Sequence, residues 1–217
     1  FRRVLFRSED LTPFIYSVGN AAPETVAKAE AMAREADVPF YVKSGLADGG
    51  AYNYAGYLGI PSVLIERGCK GMWSEEEAEA SRKDVRNILR SLGALTTPKE
   101  FRKYAPVYMR HTHYIDSESE GCWTPVKNAG DVVRKGELIG VLRDYFGNII
   151  EEVRLQEDCI ILYQTISYSV PKDSPLIAYG HYDTCVDEID QDSHTHEHHH
   201  GKKHMDMASH DLWEEIC

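Results

Sequence analysis

The sequence predicts an α/β unit built on a mostly parallel sheet, followed by a small all-β unit and a solvated tail. Three observations carry this. From Leu11 to Leu95, short apolar strands alternate with helical stretches, the pattern produced by strand–helix–strand connections. From Ala105 to Gly180 the helical period disappears, and short β-prone runs are separated by glycine turns. From Asp183 onward there are ten acidic residues against two lysines and seven of the ten histidines, a composition that cannot bury a core. The expected segments are therefore 1–8, 9–100, 101–182 and 183–217, with a boundary near 96–104.

The elements follow in order. "FRRVLFRS" (Phe1 to Ser8) has three arginines and no acid. It fits no capping, strand or targeting pattern and resembles a sequencing-adapter oligonucleotide read as coding sequence, so it is set aside from the fold. "LTPFIYSV" is an apolar strand. "NAAPETVAKAEAMAREAD" is a helix, with Pro23 in its first turn and Val26, Ala29, Met32 and Ala33 at helical spacing. Val38 to Ser44 and Ile60 to Glu66 are short buried-type strands flanking a helix from Ala51 to Leu58. Ser74 with Glu77 forms a capping box opening a longer helix. Its expected apolar stripe is Val85, Ile88, Leu89 and Leu92, and Gly93 stops it. The runs "PVYMRHTHYI", "GCWTPV", "GELIGVLRD", "EEVRLQEDCIILYQT" and "PLIAY" supply the β unit.

Composition narrows the function classes. The chain has 217 residues, 24 basic against 35 acidic, and net charge −11. The tail contributes −8 of it, and no basic surface of the kind that binds nucleic acid is expected. No apolar run reaches the length of a membrane span. Five widely spaced cysteines without a CxxC read as reduced thiols in an intracellular, cytoplasmic protein.

Several residues carry chemistry. Glu66 closes an apolar strand before a glycine loop, which places its carboxylate at the C-terminal edge of a parallel sheet, where open α/β sheets bind ligands; alternatively, it is the first solvated residue after the strand. Tyr52 and Tyr54, on the preceding short helix, can reach the same crevice and hydrogen-bond a substrate carboxylate or a tetrahedral intermediate, or else pack at its rim. Arg67 reads as charge recognition or as a solvated side chain. His111 and His113 share a strand face and can chelate a metal, but no third ligand is evident. Cys69 lacks a histidine partner at a catalytic spacing and reads as a buried thiol. The hairpin turn Asp144 to Asn148 has no lysine, and Lys127 and Lys135 lie away from it, which disfavours a biotin- or lipoate-carrier role. The β unit instead walls the crevice or mediates contacts in a homo-oligomer. In the tail, His194, His196, His198, His199 and His200 are dense enough to chelate Zn²⁺, Ni²⁺ or Cu²⁺.

"GIPSVLIERG", "GMWSEEE" and "ILRSLGAL", followed by "GCWTPVKNAGDVVRKGELIGVLRDYFGNIIEEV", resemble the succinylglutamate desuccinylase/aspartoacylase family over about Leu11 to Tyr182. The resemblance implies the C-terminal part of a carboxypeptidase-like α/β domain, followed by a barrel-sandwich-like β domain. It implies a Zn²⁺-dependent hydrolase cleaving the amide of an N-acyl amino acid or a similar small amide, with Glu66 as general base and proton shuttle. The family's zinc ligands, an HxxE pair and a later His, match no residue here. The second His would fall within or just before FRRVLFRS. The chain is thus expected to be an inactive fragment of such an enzyme. The competing expectation is a non-catalytic metal-binding or scaffold protein acting through the His-rich tail.

Overall fold

A computed structural model describes residues 9–45, 50–109 and 112–181, together with the backbone of residues 4–5. In chain order the first elements are β1 (Val4–Leu5), β2 (Asp10–Leu11), β3 (Phe14–Val18), α1 (Pro23–Ala33), β4 (Phe40–Ser44), α2 (Ala51–Tyr57), β5 (Val63–Arg67), α3 (Glu75–Ser91) and β6 (Val107–Met109). They are followed by β7 (Thr112–Asp116), β8 (Gly121–Pro125), β9 (Val132–Val133), β10 (Leu138–Arg143), β11 (Ile149–Arg154), β12 (Cys159–Gln164), β13 (Ser169–Val170) and β14 (Pro175–Gly180).

The first sheet has the order β1-β5-β3-β4-β6. β3, β4 and β6 run parallel, and β1 runs parallel to β5, but β5 is antiparallel to β3. Both faces are covered, which is why β3 is buried along its whole length. Side chains alternate between the faces with the period of two that a strand imposes. Ile15, Tyr41, Val63 and Ile65 pack with Met32 of α1 and Ile88 of α3. Phe14, Tyr16, Phe40, Val42 and Met109 pack the other way, against Ile160 and Leu162 of β12.

α1 begins at Pro23 and buries Thr25, Ala29, Met32 and Ala33, close to the expected stripe. In α3 the expected cap is present: Glu77 N–H donates to Ser74 Oγ at 3.1 Å. The expected stripe holds only in part: Val85 and Ile88 pack into the core, but Leu89 and Leu92 do not. Leu92 is 56% exposed and Leu89 lies at the surface, while Ala78, Ser81, Asp84, Asn87 and Ile88 face inward. The shift has a polar cause: Asp84 accepts from the Asp37 N–H and the Arg67 guanidinium, and Asn87 Oδ1 accepts from the Glu100 N–H.

The second unit consists of two antiparallel sheets, β11-β10-β8-β13 and β2-β12-β14-β7, with β9 pairing to β12. They face each other across a core that includes Trp123, Ile139, Leu142, Ile161, Leu176 and Ile177. Among the described residues this is an open pair of sheets, not a closed barrel. Gly140 admits the Trp123 ring, which lies where a Cβ would be.

The two units interleave more than the expected boundary allows. "PVYMRHTHYI" is split: β6 joins the first sheet beside β4, with Tyr108 stacked on Tyr41 at 4.9 Å, while β7 joins the last sheet. Conversely, β2 leaves the first unit to pair with β12. Val4–Leu5, within the segment set aside from the fold, pairs along β5.

Candidate active site

Glu66 stands in the last strand turn of β5, paired with Phe14 of β3 on one side and Val4 of β1 on the other. Because β5 is antiparallel to β3, Glu66 lies where β3 and β4 begin. The expected position at the C-terminal edge of a parallel sheet is therefore incorrect. Nor is Glu66 a solvated residue after the strand, for it is fully buried. Alternation from Leu64 puts its side chain on the face shared with Phe14 and Tyr16.

Tyr52 of α2 is near enough that the Glu66 charge helps to raise its pKa. Burial is the largest cause of that rise, and hydrogen bonds with Ser44 and Asn53 oppose it. α2 is pressed tightly onto β3: a Cβ on Gly56 would land on the Val18 side chain. Tyr52 stacks on Tyr16 with ring centres 6.2 Å apart. The Tyr16 and Tyr114 hydroxyls are 3.2 Å apart, and Tyr114 in turn meets the Tyr163 ring. Burial first, and Tyr114 second, push the Tyr16 phenol well above its ordinary value. The result is a row of phenols running from the Glu66 strand into the second unit. Tyr54, two residues from Tyr52, is 63% exposed and turns away from this row.

Arg67 occupies the opposite face. Its Nε donates to Asp84 Oδ2 at 2.7 Å and its NH2 to the Asp37 carbonyl at 2.6 Å, with Glu77 3.6 Å from NH1. Burial, the largest single effect, would lower the guanidinium's pKa, but Asp84, Glu77 and Asp37 together more than offset this and the value is raised. A cavity of about 470 Å³ on that face is lined by Pro13, Asp37, Arg67, Glu77, Lys83 and Tyr104. It lies across the sheet from the Glu66 carboxylate, so Arg67 anchors β5 to α3 and is not brought to Glu66.

Sequence reasoning missed Asp10, an acid just before an apolar strand that reads as solvated. It is buried and joins the two units. Its Oδ2 accepts from Ala129 N–H at 2.8 Å and Gln164 Nε2 at 3.1 Å, and its Oδ1 lies 3.5 Å from Lys70 Nζ and from Cys69 Sγ. Cys69 is half-buried. The Asp144–Asn148 turn does join β10 and β11 and is tied by Asp144 Oδ1, which accepts from the Phe146 and Asn148 N–H groups.

His113 has the partners that its sequence neighbourhood did not reveal. Together with Glu157 and His181, it forms a group whose ligand atoms all lie within 4.8 Å of one another. His111 and the tail histidines His194, His196, His198, His199 and His200 lie outside the described residues. No comparable group gathers at Glu66 among the described residues, so the residues present there do not fit the Zn²⁺ that the resemblance implies. No helix among the described residues is long and apolar enough to cross a membrane.

A mixed sheet with α1 and α3 on one face, α2 and an antiparallel β unit on the other, and a buried carboxylate on that second face defines a two-unit α/β protein. That fold is shared with structures of the succinylglutamate desuccinylase/aspartoacylase family. The product-bound ectoine utilization protein EutE (DoeB) of Ruegeria pomeroyi matches with TM-score 0.71 and 20% identity, over 79% of this chain and 54% of that one. A succinylglutamate desuccinylase/aspartoacylase from Rhodobacter sphaeroides matches with TM-score 0.68 and 20% identity, over 80% and 55%. An aspartoacylase family protein from Mesorhizobium loti matches with TM-score 0.61 and 19% identity, over 81% and 55%. The chain thus spans about half the length of these structures. No family model and no curated protein matches the sequence.

Proposed function

We propose that this chain carries the proton-transfer part of a hydrolase that splits an N-acyl amino acid, or a similar small amide, into a carboxylate and an amine. The observation behind the reading is Glu66: a fully buried carboxylate beside the Tyr52 phenol, in a fold shared with desuccinylase and aspartoacylase structures. Glu66 takes the proton of the attacking water as the C–O bond forms, then delivers it to the nitrogen as the C–N bond breaks. Tyr52, kept neutral, donates a hydrogen bond to the oxyanion. A Zn²⁺ ion belongs to the same proposal, but its ligands are not among the described residues, so the proton route is what these side chains supply. A cytoplasmic setting, argued from five widely spaced cysteines without a CxxC, goes with it.

β1 runs along the Glu66 edge of the sheet, and the chain spans about half the length of the structures it matches. The test therefore uses the gene product with its natural sequence upstream of Glu9, supplied with Zn²⁺ and assayed on a panel of N-acetyl and N-succinyl amino acids. Glu66→Gln should lower kcat by about 10²–10⁴ with a small effect on KM. Unchanged turnover would remove Glu66 from the reaction.

A further inference from the structure

We propose that His113, Glu157 and His181 form a binding site for a divalent transition cation, Zn²⁺ in the first instance, on the second β unit. Antiparallel pairing brings the ligands together. His113 of β7 is registered with Tyr179 of β14 and stacks on it at 5.4 Å. His181 follows Tyr179 by two residues, so the strand period returns it to the same face, and its ring stands edge-on to His113 at 5.4 Å. Glu157, from the β11–β12 turn, completes the group, with Oε1 2.6 Å from His181 Nε2.

The spacing suits zinc. Bonds of about 2.0–2.1 Å in a tetrahedron put ligand atoms about 3.4 Å apart. The His181–Glu157 pair, at 2.6 Å, must open by about 0.8 Å. The widest pair, at most 4.8 Å, must close by about 1.4 Å or less. Rotation of surface side chains covers both changes, since His113 is exposed and the other two are half-buried. Two imidazoles and one carboxylate favour zinc and its first-row neighbours over Mg²⁺ or Ca²⁺, which prefer all-oxygen shells. The Tyr179 hydroxyl, 3.5 Å from Glu157 Oε1, is placed to orient the carboxylate from outside the ligand set. Three protein ligands leave a fourth position open to water. The site shares no residue with the Glu66 region and needs nothing from the reading given for it.

The tail's histidine run begins thirteen residues after His181 and would bind the same ion, so the test silences it. In the full chain with His194, His196, His198, His199, His200, His204 and His210 replaced by Ser, zinc titration by calorimetry should show one saturable equivalent, and Co²⁺ should give a tetrahedral visible spectrum. In that background His113→Ala and His181→Ala should each weaken binding by roughly tenfold or more, Glu157→Gln by about tenfold, and Glu66→Gln should leave it unchanged. Circular dichroism without metal confirms that each variant is folded. Absence of the equivalent in the tail-substituted chain, or its survival in both histidine variants, would overturn the site.

Discussion

Replacing Asp84 with alanine removes a carboxylate at full burial on which two donors converge, the Asp37 N–H at 2.6 Å and Arg67 Nε at 2.7 Å. The guanidinium, itself 6% exposed, then keeps the Asp37 carbonyl at 2.6 Å and a distant Glu77. Breaking one side of a buried ion pair costs about 3–5 kcal/mol, because the remaining charge stays out of water. The contacts that Arg67 retains argue for the lower end, about 3 kcal/mol. A domain stable by about 5–15 kcal/mol would lose a large fraction of that. Urea denaturation of the full chain followed by circular dichroism should show a lower midpoint at unchanged slope. The double variant Arg67→Met, Asp84→Leu should recover most of the loss, since an apolar pair leaves no stranded charge. A cost below about 1 kcal/mol for Asp84→Ala, or a double variant equal to the sum of the singles, would refute the account. Because Arg67 ties the end of β5 to α3, a lost anchor should also loosen the neighbouring Glu66.

Gly56→Ala should destabilise the protein by about 1–3 kcal/mol in thermal or urea unfolding, because the new methyl meets Val18 and lifts α2, and Tyr52 with it, from β3. Tyr16→Phe and Tyr114→Phe should each cost about 1 kcal/mol, and a double-mutant cycle should show the two hydroxyls coupled rather than additive. Glu100, hydrogen-bonded by Arg86 and Arg90, is lowered from 4.5 to about 2. Its ionised form is thus favoured in the folded state, so its contribution is present above pH 4.5 and is lost as pH falls toward 2. The group is largely solvent-screened, so the effect is small. The difference in melting temperature between the unaltered chain and Glu100→Gln should shrink over that interval, and a difference that stays constant would contradict the ion pair.

The parts of this fold that sequence makes legible are those set by local chemistry. Pro23, Ser74 with Glu77, and Gly93 fixed the ends of two helices, and short continuous apolar runs located β3, β4 and β5 to within three residues. Strand direction is not a local property. Nothing in "IPSVLIERG" distinguishes a strand running with β3 from one running against it, so the expected edge for Glu66 was the opposite one. α3 misled for a related reason: amphipathic reading assumes the buried stripe is apolar, whereas Asp84 and Asn87 face inward because their partners, Arg67, Asp37 and Glu100, arrive from distant segments. The same long-range pairing hid the histidine group, in which residue 113 meets residues 157 and 181 across two connections.

The antiparallel placement of β5 changes what surrounds Glu66. At the C-terminal edge of a parallel sheet, loops and helix N-termini would face the carboxylate, and its environment would be set within the first unit. At the start of β3 and β4 it instead lies on the face that packs against β12, near the point where β2 crosses into the second unit. The second unit is therefore part of the carboxylate's immediate setting: Asp10 pins Ala129 and Gln164 beside the loop that follows β5, and Tyr114 of β7 reaches the Tyr16 hydroxyl. Ions and dipoles held this way cannot relax as they would in water, and such fixed polar surroundings are what the proton transfer proposed for Glu66 requires. It follows that changes at Asp10 or Tyr114, on the far side of the sheet from Arg67, should perturb Glu66 through the seam between the units, whereas changes at Asp84 should do so through the backbone of β5.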